Sequence, residues 1–370
     1  MKIKNLFVTF LTLTFVTFTY AASDTTSSIR GVIKGPDGNP VANASVTVVH
    51  EPSGSTVSKS SNAQGVFIAN NLRVGGPYKL TVVSAYGSQS VSDIYTKLSE
   101  TFSASLVLEE SENVVTVGSK TSYNETYKTG ARSNLSSEDL SSISSITRGL
   151  KDAVATVPFV NVYSLSFEDD DQEGFTIAGQ NPRYSTFSVD GVAQNDDFGL
   201  EKQGYPTIQS PISLDALEQV TVTVTDFDVR YSGSSAGNIN AVTKSGTNDY
   251  SGTVFSYMQD DSLRGDTVDG FKPTTGEYEE ETFGFTFGGP IIKDKLFFFV
   301  NVDNFEKTQP GRYGAAGSGA VQEVSGVTVA QAQQIIDIAS SVYNYDAGGY
   351  TGLASTLIDE DRLAKFDWNI

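Results

Sequence analysis

The chain has 370 residues, with 25 lysines and arginines against 44 aspartates and glutamates, so its formal charge is −19. It contains no cysteine and a single histidine, His50. These counts exclude disulfides, thiol catalysis and cysteine-type zinc sites, and the missing basic surface argues against nucleic-acid binding. We therefore expect no enzyme, no catalytic residue, no metal site and no cofactor.

The first 21 residues have the pattern of a secretory signal peptide. Lys2 and Lys4 precede a mostly apolar run from Leu6 to Phe18, and Thr19 and Ala21 then place small residues at the two positions that a signal peptidase reads. A membrane anchor is the alternative, but the run is short and interrupted by threonines. Because no later segment reaches 18 apolar residues, any membrane-inserted part must be a β-barrel.

Residues 28–110 contain short apolar runs separated by turn residues such as those from Gly35 to Pro40. Strands this short, with turns this regular, predict a small β-sandwich. We interpret His50, at the end of one strand candidate, as a surface or packing residue. The strand candidates are 29–34, 44–49, 66–68 and 78–83.

The connector at residues 111–120 is charged at first and then apolar, with high β-propensity from Val114 to Val117. One interpretation is a segment that adds itself as a strand to the sheet of a partner protein. The other is the last strand of the preceding sandwich. The residues alone do not decide between them.

Residues 121–250 mix helix and strand signals, which predicts an α+β domain. Apolar residues at 150, 154 and 157 indicate a helix that Pro158 ends. Asp190-Gly191 is typical of a tight turn, and the Gly- and Asn-rich stretch 237–248 is expected to be turns. Further candidates are a helix around 214–217 and strands at 175–177, 185–189 and 220–224.

From residue 251 onward, side chains alternate with a period of two. Phe283, Phe285 and Phe287 are separated by glycine and threonine, and later strands alternate apolar with charged residues. This pattern suits a barrel with a lipid-facing surface and a wet lumen, although a soluble sandwich also alternates. We count four strands, joined by connections that are long, short and long, as in outer-membrane barrels. The second long connection is expected to hold a helix near 329–342.

Two motifs resemble ligand sites but are better explained otherwise. Asp169, Asp171 and Glu173, followed by glycine, resemble the start of a calcium loop, but the twelfth position is Gln180, which cannot supply the usual bidentate carboxylate. We interpret this segment as a solvated acidic loop. The glycine-rich stretch 314–320 lacks the strand and helix that flank a phosphate loop, and is expected to be a flexible external loop.

The segments "FTIAGQNPRYSTFSVDGVAQNDDFGL", "AVTKSGTNDYSG", "FGFTFGGPIIKDKLFFFVNVDNFE" and "LAKFDWNI" occur in an order that resembles TonB-dependent outer-membrane receptors of the Oar-like (OmpA-related) subgroup. The segments "GVIKGPDGNPVANASVTV" and "GGPYKLTVV" resemble the carboxypeptidase regulatory-like, or transthyretin-like, domain. Two positions depart from the family pattern: the usual IRG reads Ile177-Ala178-Gly179, and the usual PGV reads Pro158-Phe159-Val160.

This resemblance implies a mainly β chain with a regulatory-like sandwich, an α+β plug and the first strands of an incomplete transmembrane β-barrel. The domain bounds it implies are 1–21 for the signal peptide, 28–110 for the sandwich, 111–120 for the linker with a TonB box, 121–250 for the plug and 251–370 for the truncated barrel.

The implied function is energy-coupled uptake of an unidentified ligand through the outer membrane, with the N-terminal domain in the periplasm. The implied partners are TonB with its inner-membrane energising complex, outer-membrane lipid and an extracellular ligand. Siderophores, glycans, peptides and proteins all remain open, although carbohydrate binding is one expectation. The alternatives are a secreted or surface-exposed adhesin, and a secreted hydrolase, for which no acid–base pair is recognisable.

The resemblance also implies two groups of functional residues. Residues 112–117 occupy the position of a TonB box, and two plug loops, after Gly179 and after Gly191, are expected to face outward and contact the ligand, unless they only pack against barrel or solvent. The TonB-binding candidates are Glu112, Asn113, Val114, Val115, Thr116 and Val117. The ligand-binding candidates are Gln180, Asn181, Arg183, Tyr184, Gln194, Asn195, Asp196, Asp197 and Phe198.

Overall fold

The computed structural model describes residues 25–108, 131–145, 147–164, 173–196, 198, 207, 209–224, 237–263, 278–310, 313–318, 320, 322–349 and 354–369. The predicted signal peptide at 1–21, the connector at 111–120 and Asp197 lie outside the described residues. The described chain is mainly β, as the sequence predicts. Within this part of the chain, no helix combines the length and apolarity needed to cross a membrane.

The N-terminal strands form the predicted sandwich. One sheet has three strands in the order β4-β1-β7, with β1 and β7 parallel, and the other has four in the order β3-β2-β5-β6. Alternate side chains of each sheet face a shared apolar core that includes Ile29, Val46 and Leu80. The strands are β1 (Ser27–Lys34), β2 (Ser45–His50), β3 (Ser55–Ser60), β4 (Val66–Leu72), β5 (Gly75–Ser84), β6 (Gly87–Thr96) and β7 (Thr101–Val107).

His50 is a packing residue inside this sandwich. It is only 6% exposed, its Nδ1 lies 2.7 Å from the Ser53 hydroxyl, and its ring centroid lies 4.8 Å from that of Tyr78. Burial, assisted by the positive charge of Arg73, lowers the pKa of His50 from 6.5 to about 4. The folded sandwich therefore holds this imidazole neutral at physiological pH.

Acidification is expected to destabilise the sandwich through His50. Because its pKa is depressed in the folded state and near 6.5 in the unfolded state, its contribution is complete above that value and is lost as the pH falls toward 4. We expect the free energy of unfolding to fall by roughly 2 kcal/mol between pH 7 and pH 5. Hydrogen exchange of the β2 and β5 amides in the full chain, corrected for intrinsic rates, measures this. His50→Gln is the control, and an equal pH dependence in both proteins would contradict the prediction.

The second unit is an α+β domain built on a five-stranded sheet in the order β12-β11-β14-β13-β8. A separate hairpin of β9 and β10 packs with two short helices against the same apolar core. Its elements are β8 (Arg132–Ser136), α1 (Ser137–Ser142), α2 (Leu150–Val154), β9 (Val160–Ser164), β10 (Glu173–Ile177), β11 (Thr186–Val189), β12 (Val192–Ala193), β13 (Leu217–Thr223) and β14 (Asn238–Thr243). One-turn 3₁₀ helices occur at Pro182–Tyr184 and Leu214–Ala216.

The expectation of turns throughout residues 237–248 is wrong. Asn238–Thr243 is a strand in which every residue is buried, and it lies between β11 and β13 near the middle of the sheet. Ile239 and Ala241 face the core, while Asn240 hydrogen-bonds with the Ser188 hydroxyl across the sheet. The asparagines are therefore buried polar residues of a central strand and not turn residues.

The third unit is an antiparallel sheet of four long strands in the order β15-β16-β17-β20, which matches the predicted four strands. The turn at residues 293–295 joins β16 to β17, whereas long connections follow β15 and β17. The strands are β15 (Ser251–Asp260), β16 (Glu279–Ile292), β17 (Leu296–Pro310) and β20 (Ala354–Trp368).

The second long connection is more ordered than the sequence predicts. The predicted helix is present as α3 (Val329–Tyr343), with a capping box between Thr328 and Gln331. The stretch 314–320, expected to be flexible, begins within β18 (Tyr313–Ala316), which pairs in parallel with β19 (Gln322–Thr328).

The two faces of the four-stranded sheet differ as predicted. Large apolar side chains project from one face, with Phe283 51%, Phe366 67% and Trp368 72% exposed. On the other face, Phe297, Phe299 and Asn301 are buried, and Phe299 joins the core of the plug-like domain. The α+β domain therefore packs against one face, and the aromatic face is left outward, as expected for contact with hydrocarbon.

Aromatic rings gather on the outward face near the short turn. The rings of Phe287 and Phe298 lie 5.6 Å apart, and Tyr250 stacks on Phe287 at 6.0 Å while its hydroxyl donates to the Pro290 carbonyl. Aromatic rings at this level of a barrel mark the interface between hydrocarbon and water.

Candidate functional site

The candidate site lies at one end of the α+β domain. The two ends of this domain can be told apart by their position along the barrel sheet. We call the end near residues 293–295 the short-turn end and the opposite one the long-loop end. Strand β14 runs toward the short-turn end, because Lys365, near the end of β20, donates from Nζ to the Thr243 carbonyl at 3.1 Å. The start of β14 and of its parallel neighbour β11 therefore lies toward the long-loop end.

The loop after Gly179 lies at the long-loop end, where it is expected to contact the ligand. It leads into β11, whose first amide, that of Thr186, donates to the Gly237 carbonyl just before β14. Gln180, Asn181, Arg183 and Tyr184 are all exposed, and Tyr184 is 55% exposed. The side chain of Asn181 accepts a hydrogen bond from the backbone of Arg183, so it also caps the one-turn helix.

The turn at Gly191 lies at the short-turn end. The expectation that the loop after Gly191 faces outward from its first residue is therefore wrong. Asp190 and Gly191 have φ of +48° and +78°, as a tight hairpin turn requires, so the predicted turn is present. The Asp190 carboxylate accepts from the backbone N–H of Thr243 and lies 3.7 Å from the Lys365 ammonium. The Asp-Gly pair thus anchors the domain to the barrel sheet at the short-turn end.

After this turn the chain runs back along β11 toward the long-loop end. The amide of Gln194 donates to the Phe187 carbonyl, and the Asn195 side chain accepts from the Phe187 amide and donates to the Ser185 carbonyl. The structure therefore brings the two predicted loops together through Asn195. Both ends of that amide bond the backbone of the domain, so its observed contacts are structural.

Among the described residues between β8 and β14, three aromatic side chains are exposed. Phe198 is 89% exposed, Tyr184 55% and Phe159 70%. Phe159, which is not among the predicted ligand-binding residues, lies beside the first loop because its carbonyl accepts from the Ala178 amide at 2.8 Å. The only sequence signal for it is the replacement of glycine in the usual PGV.

Phe159 is held in a backbone conformation that favours glycine. Its φ is +70°, and it occupies the third position of a turn closed by the Val160 amide and the Val157 carbonyl. We expect Phe159→Gly to stabilise the domain by roughly 1 kcal/mol, since a left-handed conformation costs an L-residue about that much. Hydrogen exchange of β9 and β10 measures the gain. Phe159→Ala is the matched control, and equal stability of the glycine and alanine variants would contradict the strain.

A buried arginine links this domain to the barrel wall. Arg148 is 2% exposed, its Nε lies 2.7 Å from the Asp215 carboxylate, and Nη1 donates to the Ile143 carbonyl. Its guanidinium lies 5.6 Å from the ring centroid of Tyr257 on β15. The adjoining cleft is lined by three carboxylates of the wall, those of Asp303, Asp359 and Asp361. Sequence reasoning missed this pair because its members lie 67 positions apart.

Two further groups of the domain are electrostatically perturbed. Burial lowers the pKa of the Lys151 ammonium below its usual value, although the carboxylates of Asp152 and Glu280 oppose that shift. Burial raises the pKa of the Glu218 carboxyl, which Lys244 and Lys365 partly offset. Within the described part of the chain, no group of three or more His, Asp or Glu side chains is placed to hold a metal ion.

Three family models match successive parts of the chain. Residues 28–109 match the carboxypeptidase regulatory-like domain, 124–239 the TonB-dependent receptor plug domain, and 242–366 an outer membrane beta barrel domain. The order of these three matches is that of the N-terminal portion of a TonB-dependent receptor.

Among curated proteins, the chain is similar to the TonB-dependent transporter Oar of Myxococcus xanthus, with 30% identity over 216 residues. The match covers 54% of this chain and 19% of that transporter. Among solved structures, it resembles the outer membrane transporter YddB from Escherichia coli (13% identity, 64% of this chain and 30% of that one, TM-score 0.42). It also resembles the siderophore receptor PirA from Acinetobacter baumannii (21% identity, 52% and 26%, TM-score 0.39).

Proposed function

We propose that the protein is an outer-membrane importer that takes up an extracellular ligand with energy delivered through TonB. The observation that carries this proposal is the packing of the plug against the inner face of a sheet whose outer face is apolar and aromatic. A plug in that position obstructs the lumen of a barrel, so transport requires work on the plug. None of the three domain matches describes an enzyme or an adhesin.

The proposed orientation follows from the connections between the barrel strands. Short turns face the periplasm and long loops face outward in barrels of this kind. The sandwich contacts the short-turn end, where the Pro52 carbonyl accepts from the Asn248 amide just before β15. This contact supports a sandwich in the periplasm, on the side from which TonB would approach.

The ligand surface is proposed to be the long-loop end of the plug. Its exposed amides, with Arg183, can hydrogen-bond a polar ligand, and Tyr184 and Phe198 offer faces for stacking. A sugar ring has apolar faces that stack on aromatic side chains and hydroxyl groups that hydrogen-bond with amides and arginine. The combination of these groups on the plug therefore favours a carbohydrate among the open ligand classes. Asp196, whose carboxylate accepts from the Phe198 amide, would fix the backbone that carries this aromatic residue.

The docking segment for TonB is proposed to be residues 112–117. It follows the sandwich and precedes β8, an edge strand of the plug sheet, and its valines suit pairing with a partner strand. Proline cannot donate the main-chain hydrogen bond that such pairing needs. We expect Val115→Pro to abolish co-purification with the periplasmic domain of TonB, whereas Val115→Ile retains it. Equal recovery of TonB with both variants would refute this segment.

A further inference from the structure

Three loops at one end of the sandwich make contacts outside it, and the loop between β6 and β7 contacts the plug. Its partners lie on β8 and β13, the last two strands at one side of the plug sheet. The hydrogen bonds run from Leu98 N to Gln219 Oε1, from Arg132 Nη1 to Ser99 O (3.2 Å) and from Asn134 Nδ2 to Glu100 Oε1 (2.7 Å). The sandwich thus holds the plug strand that follows the connector.

The other two loops contact the barrel sheet around its short turn. Pro52 accepts from the Asn248 amide at 2.7 Å, and the Asn248 side chain in turn bonds both the carboxylate and the amide of Asp294. Arg73 donates to the Gly246 carbonyl, and its guanidinium lies 5.5 Å from the ring centroid of Phe297. One end of the sandwich is therefore bonded to the barrel turn and to the plug at once.

An apolar contact lies between these polar ones. Val74 and Leu98 of the sandwich form a small cluster with Val242 of β14, and Val242 is only 6% exposed. Because the Val242 side chain is covered by the sandwich, its access to reagents reports whether the sandwich is docked.

We propose that the N-terminal sandwich is a clasp that holds the plug in its closed position against the short turn of the barrel. The clasp opens when the connector between Leu108 and β8 is pulled, because the two ends of that connector are the sandwich and the plug strand it holds. The trigger rests on the proposed docking of TonB at residues 112–117, whereas the clasp itself rests only on the contacts above.

The test uses cysteine labelling of the full receptor in intact cells, since the chain has no cysteine of its own. Val242→Cys reports on the covered contact, and Tyr95→Cys, at a position 61% exposed on the sandwich, is the matched control. The probe is a small maleimide that reaches the periplasm. We expect Val242→Cys to be protected when a protonophore uncouples the membrane, and its labelling rate to rise at least about fivefold in energised cells. The control is expected to label equally in both conditions.

A second pair of cysteines keeps the test valid if Val242→Cys misfolds. A Cβ atom at Gly54 would lie 3.0 Å from Cγ of Asp294, so Gly54→Cys with Asp294→Cys can form a disulfide across the docked contact. Both positions have a left-handed backbone, with φ of +66° and +61°, so the disulfide yield is compared between conditions within this one variant. We expect this disulfide to form in uncoupled cells and its yield to fall in energised ones.

The outcomes separate the clasp from the proposed function. Fast labelling of Val242→Cys in every condition would overturn the clasp, because the sandwich would then not cover this position. The clasp would also be overturned if Val242→Cys stayed protected in every condition although TonB still co-purified with the receptor. Labelling that rises on energisation even without residues 112–117 would overturn the connector as trigger, together with the proposed docking segment. A rise that disappears with that deletion supports both.

Discussion

Deletion of residues 112–117 is expected to abolish energy-dependent uptake while ligand binding at the cell surface is retained. A strand added to a partner sheet is held by main-chain hydrogen bonds. Deleting the segment therefore abolishes TonB binding and does not merely weaken it. The proposed ligand surface lies at the long-loop end of the plug, outside the deleted segment, and should be unaffected. Uptake is measured as growth on a nutrient source that a strain lacking the receptor fails to use. Ligand binding is measured as the amount of that nutrient bound to intact cells.

The matched control removes six other residues, 119–124, from the segment between Leu108 and β8, and so shortens that segment equally while leaving 112–117 in place. It is expected to preserve uptake. If both deletions abolish growth, connector length and not the docking segment is essential. If uptake survives the loss of 112–117, the assignment of the TonB-binding residues Glu112 to Val117 is wrong.

The barrel strands were predictable because two environments impose two kinds of side chain. Phe283, Phe285 and Phe287 face outward, and the glycines and threonines between them lie on the buried face of the sheet. At Gly284, a Cβ atom would overlap the ring of Phe255 on the neighbouring strand. Alternation therefore records the fold directly, and the four strands could be counted from it.

Other elements gave no such signal. Strand β14 carries asparagines that are buried and paired across the sheet, so its local composition resembles a turn. Strand β3 is almost entirely polar and lies at a sheet edge, where no core selects its residues. The only sequence signal for helix α1 is the capping box of Ser136 and Asp139. The helix is too short to show a helical periodicity of apolar residues.

The candidate site divides in the same way. The exposed loop residues near Gly179 follow from turn chemistry and from family resemblance, and the structure places them at one end of the plug. The contacts that position the plug depend on tertiary structure. Arg148 with Asp215, and Lys365 with Asp190, are paired by the fold over long sequence separations, so no local pattern identifies them.

Replacement of Arg148 with methionine is expected to destabilise the plug by about 3–5 kcal/mol. The guanidinium is almost fully buried, and its loss leaves the Asp215 carboxylate without the counter-charge 2.7 Å away. Three more carboxylates, on Asp303, Asp359 and Asp361, line the adjoining cleft, so the local excess of negative charge grows. The hydrogen bond to the Ile143 carbonyl and the contact with the Tyr257 ring are lost as well.

A double-mutant cycle distinguishes the ion pair from simple loss of packing. Asp215→Asn alone is expected to cost less than Arg148→Met, because it lessens the negative charge that faces the arginine. Combining the two changes should recover part of the loss, since neither buried charge then lacks its partner. Hydrogen exchange of α1 and α2 in the intact protein measures each stability. Strictly additive losses of stability would show that Arg148 acts by filling space. They would also show that the negative charge of the barrel-wall carboxylates does not affect the stability of the plug.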